Sequence, residues 1–429
     1  MNTETTYWFN NMPKHWQIKR LKDNIIFQPN VAVPADNAFV TFMPMECLRD
    51  GVIQQREEIY SEIKKNGSYN AFENGDIVIA KVTPCFEHHN MAIAVNLKNG
   101  IGYGTSEIFV LRPKNINTPF LNYYLHSDYI LGVGVSSMAG VGGLKRVNAD
   151  VLKHAILILP PLAEQIKIAN YLDNKISNID AYVSERKKER LLLSDLKKAK
   201  VAEIVTKGLS PNVRLKDSGI PSIGMIPAHW EVRRIKDIAS EIFMGTTPVY
   251  EYEAENSNYI LGQRNNQLEG ITFEGVKFAK DSFFAQRQEY EFLKYGDVLL
   301  NTLGGGSVGR AGYYNLDNSK RVITDGHIMV IRSKTYNTKY LYFYLLSIKE
   351  QLENMAIGST NQSFFNISDI RIIPIVVPPI EEQIQIVEYL DHECDQIEKK
   401  CALINEQIQQ LQLLKRALIN EVVTGKKAI

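Results

Sequence analysis

Apolar residues recur along this chain in two rhythms, and the rhythms alternate twice. FENGDIVIAKV (72–82) and LKYGDVLLNTL (293–303) each read as a Gly-Asp turn feeding a buried strand. SEIFVLRP (106–113) and GHIMVIRS (326–333) read as equivalent strands. PFLNYYLHSDYI and KYLYFYLLSIKE follow them as amphipathic helices. A Gly-rich or polar loop comes next, MAGVGGLKRVN (138–148) or IGSTNQSFFN (357–366), then a last strand that runs into two prolines. Past Pro161 and Pro379 the period becomes helical. Glu164 and Glu382 fall in the first turn, where a negative charge suits the helix dipole. In the second of these segments apolar residues step by fours and threes at Leu390, Cys394, Ile397, Cys401, Ile404, Ile408, Leu411, Leu414, Leu418 and Val422, the seam of a coiled coil. The first keeps Leu172, Ile176, Ile179, Val183, Leu193, Leu196 and Ile204 in register and turns polar at Arg186 and Arg190. Each helix should span about 46 residues, or about 70 Å at 1.5 Å per residue.

The two rounds are copies. PPLAEQIKIANYLDNKISNID from Pro160 aligns with PPIEEQIQIVEYLDHECDQIE from Pro378 at an offset of 218, and 17 of 48 positions are identical over Pro160–Lys207. MPKHWQIKRLKD at Met12 matches IPAHWEVRRIKD at Ile226, and GDIVIAK at Gly75 matches GDVLLNT at Gly296. The helices agree well and the bodies poorly, so one scaffold is expected to carry two different heads. The expected class is α+β. Residues 1–159 and 211–377 form the heads, and 160–210 and 378–429 the helices. The seams are expected to pair with each other in an antiparallel coiled coil, giving the repeat a pseudo-two-fold axis; homodimerisation through the seam is the alternative.

Composition narrows the function. The chain has 429 residues, 45% hydrophobic, enough for two or three cored domains. No apolar run is long enough for a membrane span, and the N-terminus lacks a signal-peptide pattern, so a cytoplasmic protein is expected. The four cysteines, Cys47, Cys85, Cys394 and Cys401, make no zinc-ligand spacing; no metal or cofactor is expected. Net charge is +1, so any nucleic-acid surface must be locally basic. GGGSVGR (304–310) has P-loop glycine spacing, but Arg310 and Ala311 stand where Lys and Ser/Thr belong, and it reads as a turn. LPPL and VPPI lack the polar first residue of an amino-methyltransferase motif, and the ExK triplets lie on the long helices, so no catalytic site is expected.

The loops mix basic, amide and aromatic residues, a combination that suits DNA. Arg pairs with guanine, Asn and Gln with adenine, and Lys, Ser, Thr or His can hold phosphates. Candidates in the first head are Lys81, Thr83, His88, His89, Lys145 and Arg146. Those in the second are Gln263, Arg264, Asn265, Asn266, Arg287, Asn301, Thr302, Ser307, Arg310, Asn361 and Gln362. Lys19, Arg20 and Lys22, with their counterparts Arg233, Arg234 and Lys236, are candidate phosphate contacts; the histidines are otherwise expected at the surface.

The HW opener, the GD strand and the PPxxEQxxIxxYLD helix with its TKG- or TGK-like tail, each present twice, closely resemble the specificity subunit of type I restriction–modification systems. The resemblance covers nearly the whole chain. It implies a non-catalytic, DNA-binding subunit. Each head would be a target-recognition domain reading one half of a bipartite double-stranded DNA site. The helices would set the unread spacer and dock two methyltransferase subunits, with restriction/translocase subunits joining that core. A coiled-coil scaffold with protein-binding heads is the competing reading.

Overall fold

The computed structural model describes residues 12–49, 51–54, 56–65, 67–141, 143–247, 258–267, 270–304, 306–316, 321–356 and 364–429. The chain divides into two compact units, Met1–Lys187 with Asn405–Ile429, and Lys188–Ile404. Each long helix therefore begins in one unit and ends in the other.

In the first unit, one four-stranded sheet has the order Ile25–Phe27, Ile108–Pro113, Ile77–Ala80, Met91–Ile93, and the other Arg56–Ile59, Phe39–Met43, Ile101–Thr105, Tyr69–Glu73. The second unit repeats the plan. Glu241–Met244, Ile328–Arg332, Val298–Asn301 and Ala311–Tyr313 make one sheet, and Lys277–Phe278, Asn258–Leu261 and Arg321–Thr324 the other. In both, one pair is parallel: Phe39–Met43 with Ile101–Thr105, and Asn258–Leu261 with Arg321–Thr324. The fully buried strands Ile77–Ala80 and Ile328–Arg332 are central, which is why IVIA and IMVI read as unbroken apolar stretches.

The Gly-Asp motif recurs with a buried carboxylate that an arginine of the neighbouring strand holds. Asp76 accepts from the Glu73 amide at 2.8 Å and grips Arg112 with both oxygens at 2.7 and 2.8 Å. Asp297 does the same with the Lys294 amide at 2.8 Å and Arg332 at 2.7 and 2.8 Å. Both carboxylates are buried. A forked guanidinium supplies the hydrogen bonds that make a buried charge tolerable.

The opener and the helix junction form a second repeated device. Trp16 Nε1 donates to Glu164 at 2.8 Å and Trp230 Nε1 to Glu382 at 2.9 Å, with His15 and His229 on the other carboxylate oxygen at 2.8 and 2.6 Å. The Trp16 bond holds the Glu164 carboxyl below its ordinary range. The next residue fastens the head. Gln165 Nε2 donates to the Pro160 carbonyl while its Oε1 accepts the Asn117 amide, both at 2.8 Å. Gln383 repeats this with Pro378 and Asn337 at 2.8 and 2.9 Å. The glycine of each helix tail closes over the same tryptophan. Gly208 and Gly425 have φ of +74° and +73°, and an added Cβ would stand 3.0 Å from the ring of Trp230 and of Trp16 respectively. Only glycine meets both the left-handed turn and the close approach.

The prolines do start long helices, Leu162–Lys207 and Ile380–Val423. In the first unit Leu172, Ile176, Ile179 and Val183 share one core with Leu418, Ile419, Val422 and Val423, and Ile408 and Leu411 pack against it. In the second, Val201 and Val205 join Ile386, Val387, Leu390 and Cys394. Ile397 and Ile404 are buried and Leu193 half-buried. Leu196 and Leu414 depart from the expected seam, standing 51% and 55% exposed. One position on, Lys197 bonds Glu398 at 2.5 Å and Lys415 bonds Asp180 at 2.7 Å. Lys200 bonds Glu393 as well. The inward positions are lysines, whose aliphatic stems pack while their ammonium groups reach a carboxylate. The apolar count therefore picked the neighbouring leucine.

Two further expectations are corrected. Each head helix breaks in two, at Thr118–Leu125 and Asp128–Ser136, and at Thr338–Ser347 and Lys349–Met355. Ser127 caps the new start in the first head. The Gly-rich segment 138–148 is not a loop but a hairpin of Ala139–Val141 with Leu144–Arg146. The Thr83 hydroxyl holds its turn and second strand, accepting the Lys145 amide at 2.8 Å and donating to the Gly143 carbonyl at 3.0 Å.

Candidate nucleic-acid interface

Strand direction gathers the variable loops at one end of each head. In the second head Leu261 pairs with Thr324 and Asn301 with Ile328. The segments after Leu261 and Asn301, and the Asp325–His327 turn, therefore leave the sheets together. In the first head Met43 pairs with Gly104 and Ala80 with Ile108, which collects the segments after Met43 and Ala80 with the Ser106–Glu107 turn. The hairpin joins them through a bridge between Val82 and Arg146.

In the first head this end carries Lys81 half-buried with its ammonium 5.6 Å from the Phe109 ring, and Lys145 exposed. Arg146 forks onto Glu107 at 2.9 and 2.8 Å, which pulls the Glu107 carboxyl below its usual range. His88 is exposed beside a hollow of about 720 Å³ lined by Met45, Glu46, Arg49, Pro84, Cys85 and Asn90 as well. His89 departs from a surface position. Its half-buried ring stacks on His126 at 5.7 Å, and burial lowers its pKa.

In the second head several candidates turn inward. Asn265, Asn266, Asn301 and Thr302 are buried. Asn265 accepts the Gly262 amide and donates to the Thr272 and Glu274 carbonyls; Asn266 donates to Asn301 Oδ1 at 2.9 Å; the Thr302 hydroxyl donates to the His327 carbonyl at 3.0 Å. These side chains tie the turns together instead of facing solvent, because tight turns leave carbonyls that need donors. Gln263 and Ser307 are half-buried and bond the Leu303 carbonyl at 2.6 and 2.9 Å. Arg287 lies between Thr246 and Glu291 over the Phe283 ring. Arg310 reaches the Asn266 carbonyl at 3.2 Å and Gln267 at 3.3 Å and keeps part of its surface open. Arg264 is exposed and lines a hollow of about 240 Å³ with Gln263, Lys277 and Asp325. Asn361 and Gln362 lie outside the described residues.

Lys19, Arg20 and Lys22, and Arg233, Arg234 and Lys236, are all exposed on or just after the strands Gln17–Arg20 and Glu231–Arg234. Those strands pair with Ile156–Leu159 and Pro374–Val377, which lead into the long helices. Arg233 is engaged by Glu231 and Arg234 by Asp237, and Lys22 Nζ lies 3.0 Å from His154 Nε2. Sequence reasoning missed Glu46, Arg49 and Glu107 in the first head and Asp325 and His327 in the second. Glu107 and His327 each stand just before the apolar strand of the repeat, and that position was the available signal. Burial raises the Asp325 pKa although it accepts the His327 amide at 3.0 Å. Among the described residues no group of three or more His, Cys, Asp or Glu could hold a metal ion, and no helix is long and apolar enough to cross a membrane.

The profile of the type I restriction modification DNA specificity domain matches residues 13–191 and again 227–413. The chain belongs to this family. It carries the domain twice, as a type I specificity subunit. It is 24% identical to the MjaVIII specificity subunit of Methanocaldococcus jannaschii, over 97% of this chain and 93% of that one. It is 34% identical to the EcoEI specificity subunit of Escherichia coli over 162 residues, 37% of this chain. That match spans about a quarter of the EcoEI subunit, 27% of its length. A structure solved in work on complex assembly and conformational transition of the type I R-M system has a TM-score of 0.72 at 18% identity, covering 97% of this chain and 99% of that one. The fold is therefore shared along nearly its full length.

Proposed function

We propose that this specificity subunit is a non-catalytic, two-headed reader of double-stranded DNA. Residues 1–159 and 211–377 are the target-recognition domains, each reading one half of a bipartite, asymmetric site. Residues 160–210 and 378–429 are the spacer helices. They pair as an antiparallel coiled coil about a pseudo-two-fold axis, fix the unread gap and dock two methyltransferase subunits, to which restriction/translocase subunits add. One observation carries the reading: the same internal bonds recur in both units, while the strand ends they support present different side chains. The direction of helix pairing is supported within the second unit, where Lys197 meets Glu398 and Lys200 meets Glu393. The likeness to the relatives above supports the partners.

The exposed basic residues, Lys19, Arg20, Lys145, Arg264 and Lys236 among them, are the proposed phosphate and base contacts; the buried amides of the second head support the loops. Binding of the chain with its methyltransferase subunits to duplexes at rising salt tests this. Affinity for a cognate duplex should fall steeply with salt and exceed that for an unrelated duplex by roughly 10³-fold or more. Equal, weak binding to both would leave the scaffold reading in its place.

A further inference from the structure

The hairpin of Ala139–Val141 with Leu144–Arg146 in the first head joins no hydrophobic core among the described residues. All six strand residues are exposed, and neither Val141 nor Leu144 belongs to a hydrophobic core. Val141 is 95% exposed and faces Leu144, itself 47% exposed, across the ribbon. An apolar cross-strand pair exposed next to the turn of a ribbon is costly in water unless something covers it. The ribbon's backbone is fastened along its second strand, by Thr83 to Gly143 and Lys145, by the Val82 bridge and by the Arg146–Glu107 fork, while the two apolar side chains stay uncovered. Strand alternation puts Ala139, Val141, Leu144 and Arg146 on one face and Gly140 and Lys145 on the other. An added Cβ at Gly140 would stand 2.3 Å from the Leu144 carbonyl oxygen, so the ribbon is also thin.

We infer that this ribbon enters the major groove of the half-site read by the first head, and that its Val141–Leu144 end reads thymine by its 5-methyl group. The inference rests on the DNA-reading function proposed above. A two-stranded ribbon fits the width of the major groove, and the thymine methyl is the apolar group on that groove's edge. Lys145 on the opposite face is placed for a phosphate of the groove wall. The fastened second strand supplies the rigidity that a reading element needs.

The test uses the complex with methyltransferase subunits and duplexes in which each thymine of the site is replaced singly by deoxyuridine. Wild-type binding should weaken about fourfold for at least one thymine of the first half-site, the effect of one buried methyl group. Val141→Ser, or Leu144→Ser as a second variant, should bind the thymine and uracil duplexes alike at that position. Both should keep the wild-type base preference at the second half-site, which reports that the molecule is intact. Indifference of the wild type to every such replacement in the first half-site would overturn the inference, as would full methyl sensitivity in both variants. Loss of methyltransferase copurification with an unchanged uracil profile would do so too, by making the ribbon a protein contact. Absence of any sequence-specific binding by the wild type would instead remove the DNA-reading function.

Discussion

The loop-bearing ends of the two heads differ where their frames do not. After the parallel strand each head makes one tight helical turn, Met45–Cys47 or Gln263–Asn265. Glu46 in the first occupies the place of Arg264 in the second, Lys81 that of Thr302, Thr105 that of Asp325 and Glu107 that of His327. A charge reverses, another disappears, and a carboxylate becomes an imidazole. Behind these positions Asp76–Arg112 matches Asp297–Arg332, and Trp16–Glu164–Gly425 matches Trp230–Glu382–Gly208. Internal bonding has fixed the frame, and solvent has left the end surface free to vary. Two different ends on one frame suit an asymmetric target.

The frames can be pulled apart experimentally. The largest effect should come from the openers. Trp230→Ala removes a fully buried indole and the donor to Glu382, and should cost about 3–5 kcal/mol. Trp16→Ala, at a slightly more open site, should cost somewhat less, and denaturant unfolding followed by a probe in each unit reads both. Arg332→Met leaves buried Asp297 without its fork and should cost about 3 kcal/mol or more; Arg112→Met, at a half-exposed arginine, should cost clearly less. Equal losses would mean that the two ion pairs are equally desolvated.

Acid should distinguish the units next. Burial pushes the His126 pKa down to about 4 from 6.5 in the unfolded chain. Between those values the unfolded state binds a proton that the folded state refuses. This contribution is therefore complete above pH 6.5 and is lost as pH falls towards 4, by up to ~3 kcal/mol. Leu346 occupies the matching place in the second head, so His126→Leu should flatten the pH dependence of the first unit alone. An unchanged slope in that variant would assign the acid sensitivity elsewhere. The smallest effects belong to Lys197→Ala and Lys415→Ala, whose carboxylate partners are more than half exposed. Each should cost no more than about 1 kcal/mol, with less at high salt.

The repeat made most of this frame legible, since motifs present twice carry their own alignment. The GD turn, the PP junctions and both long helices stand where the pattern puts them. What the pattern lacked was the inward direction of polar side chains. Asn265, Asn266, Asn301 and Thr302 look like groove readers in a string of letters, yet tight turns consume them as internal donors and acceptors. Lys197 and Lys415 look solvated but lie on the seam, and Leu196 and Leu414 beside them look like seam residues but face outward. The hairpin was hidden because glycines suggest a loop, and because Thr83, 60 residues before its turn, helps to hold it. Long-range hydrogen bonds of this kind leave no local periodicity to detect.

Two unlike heads are proposed to read two unlike half-sites at a fixed separation. Co-expression with the methyltransferase subunit of the same system, followed by sequencing of the host DNA for modified adenine, tests it directly. A new motif is expected in two different parts separated by a few unread bases. A single uninterrupted motif, or a split motif with two identical inverted halves, would contradict it.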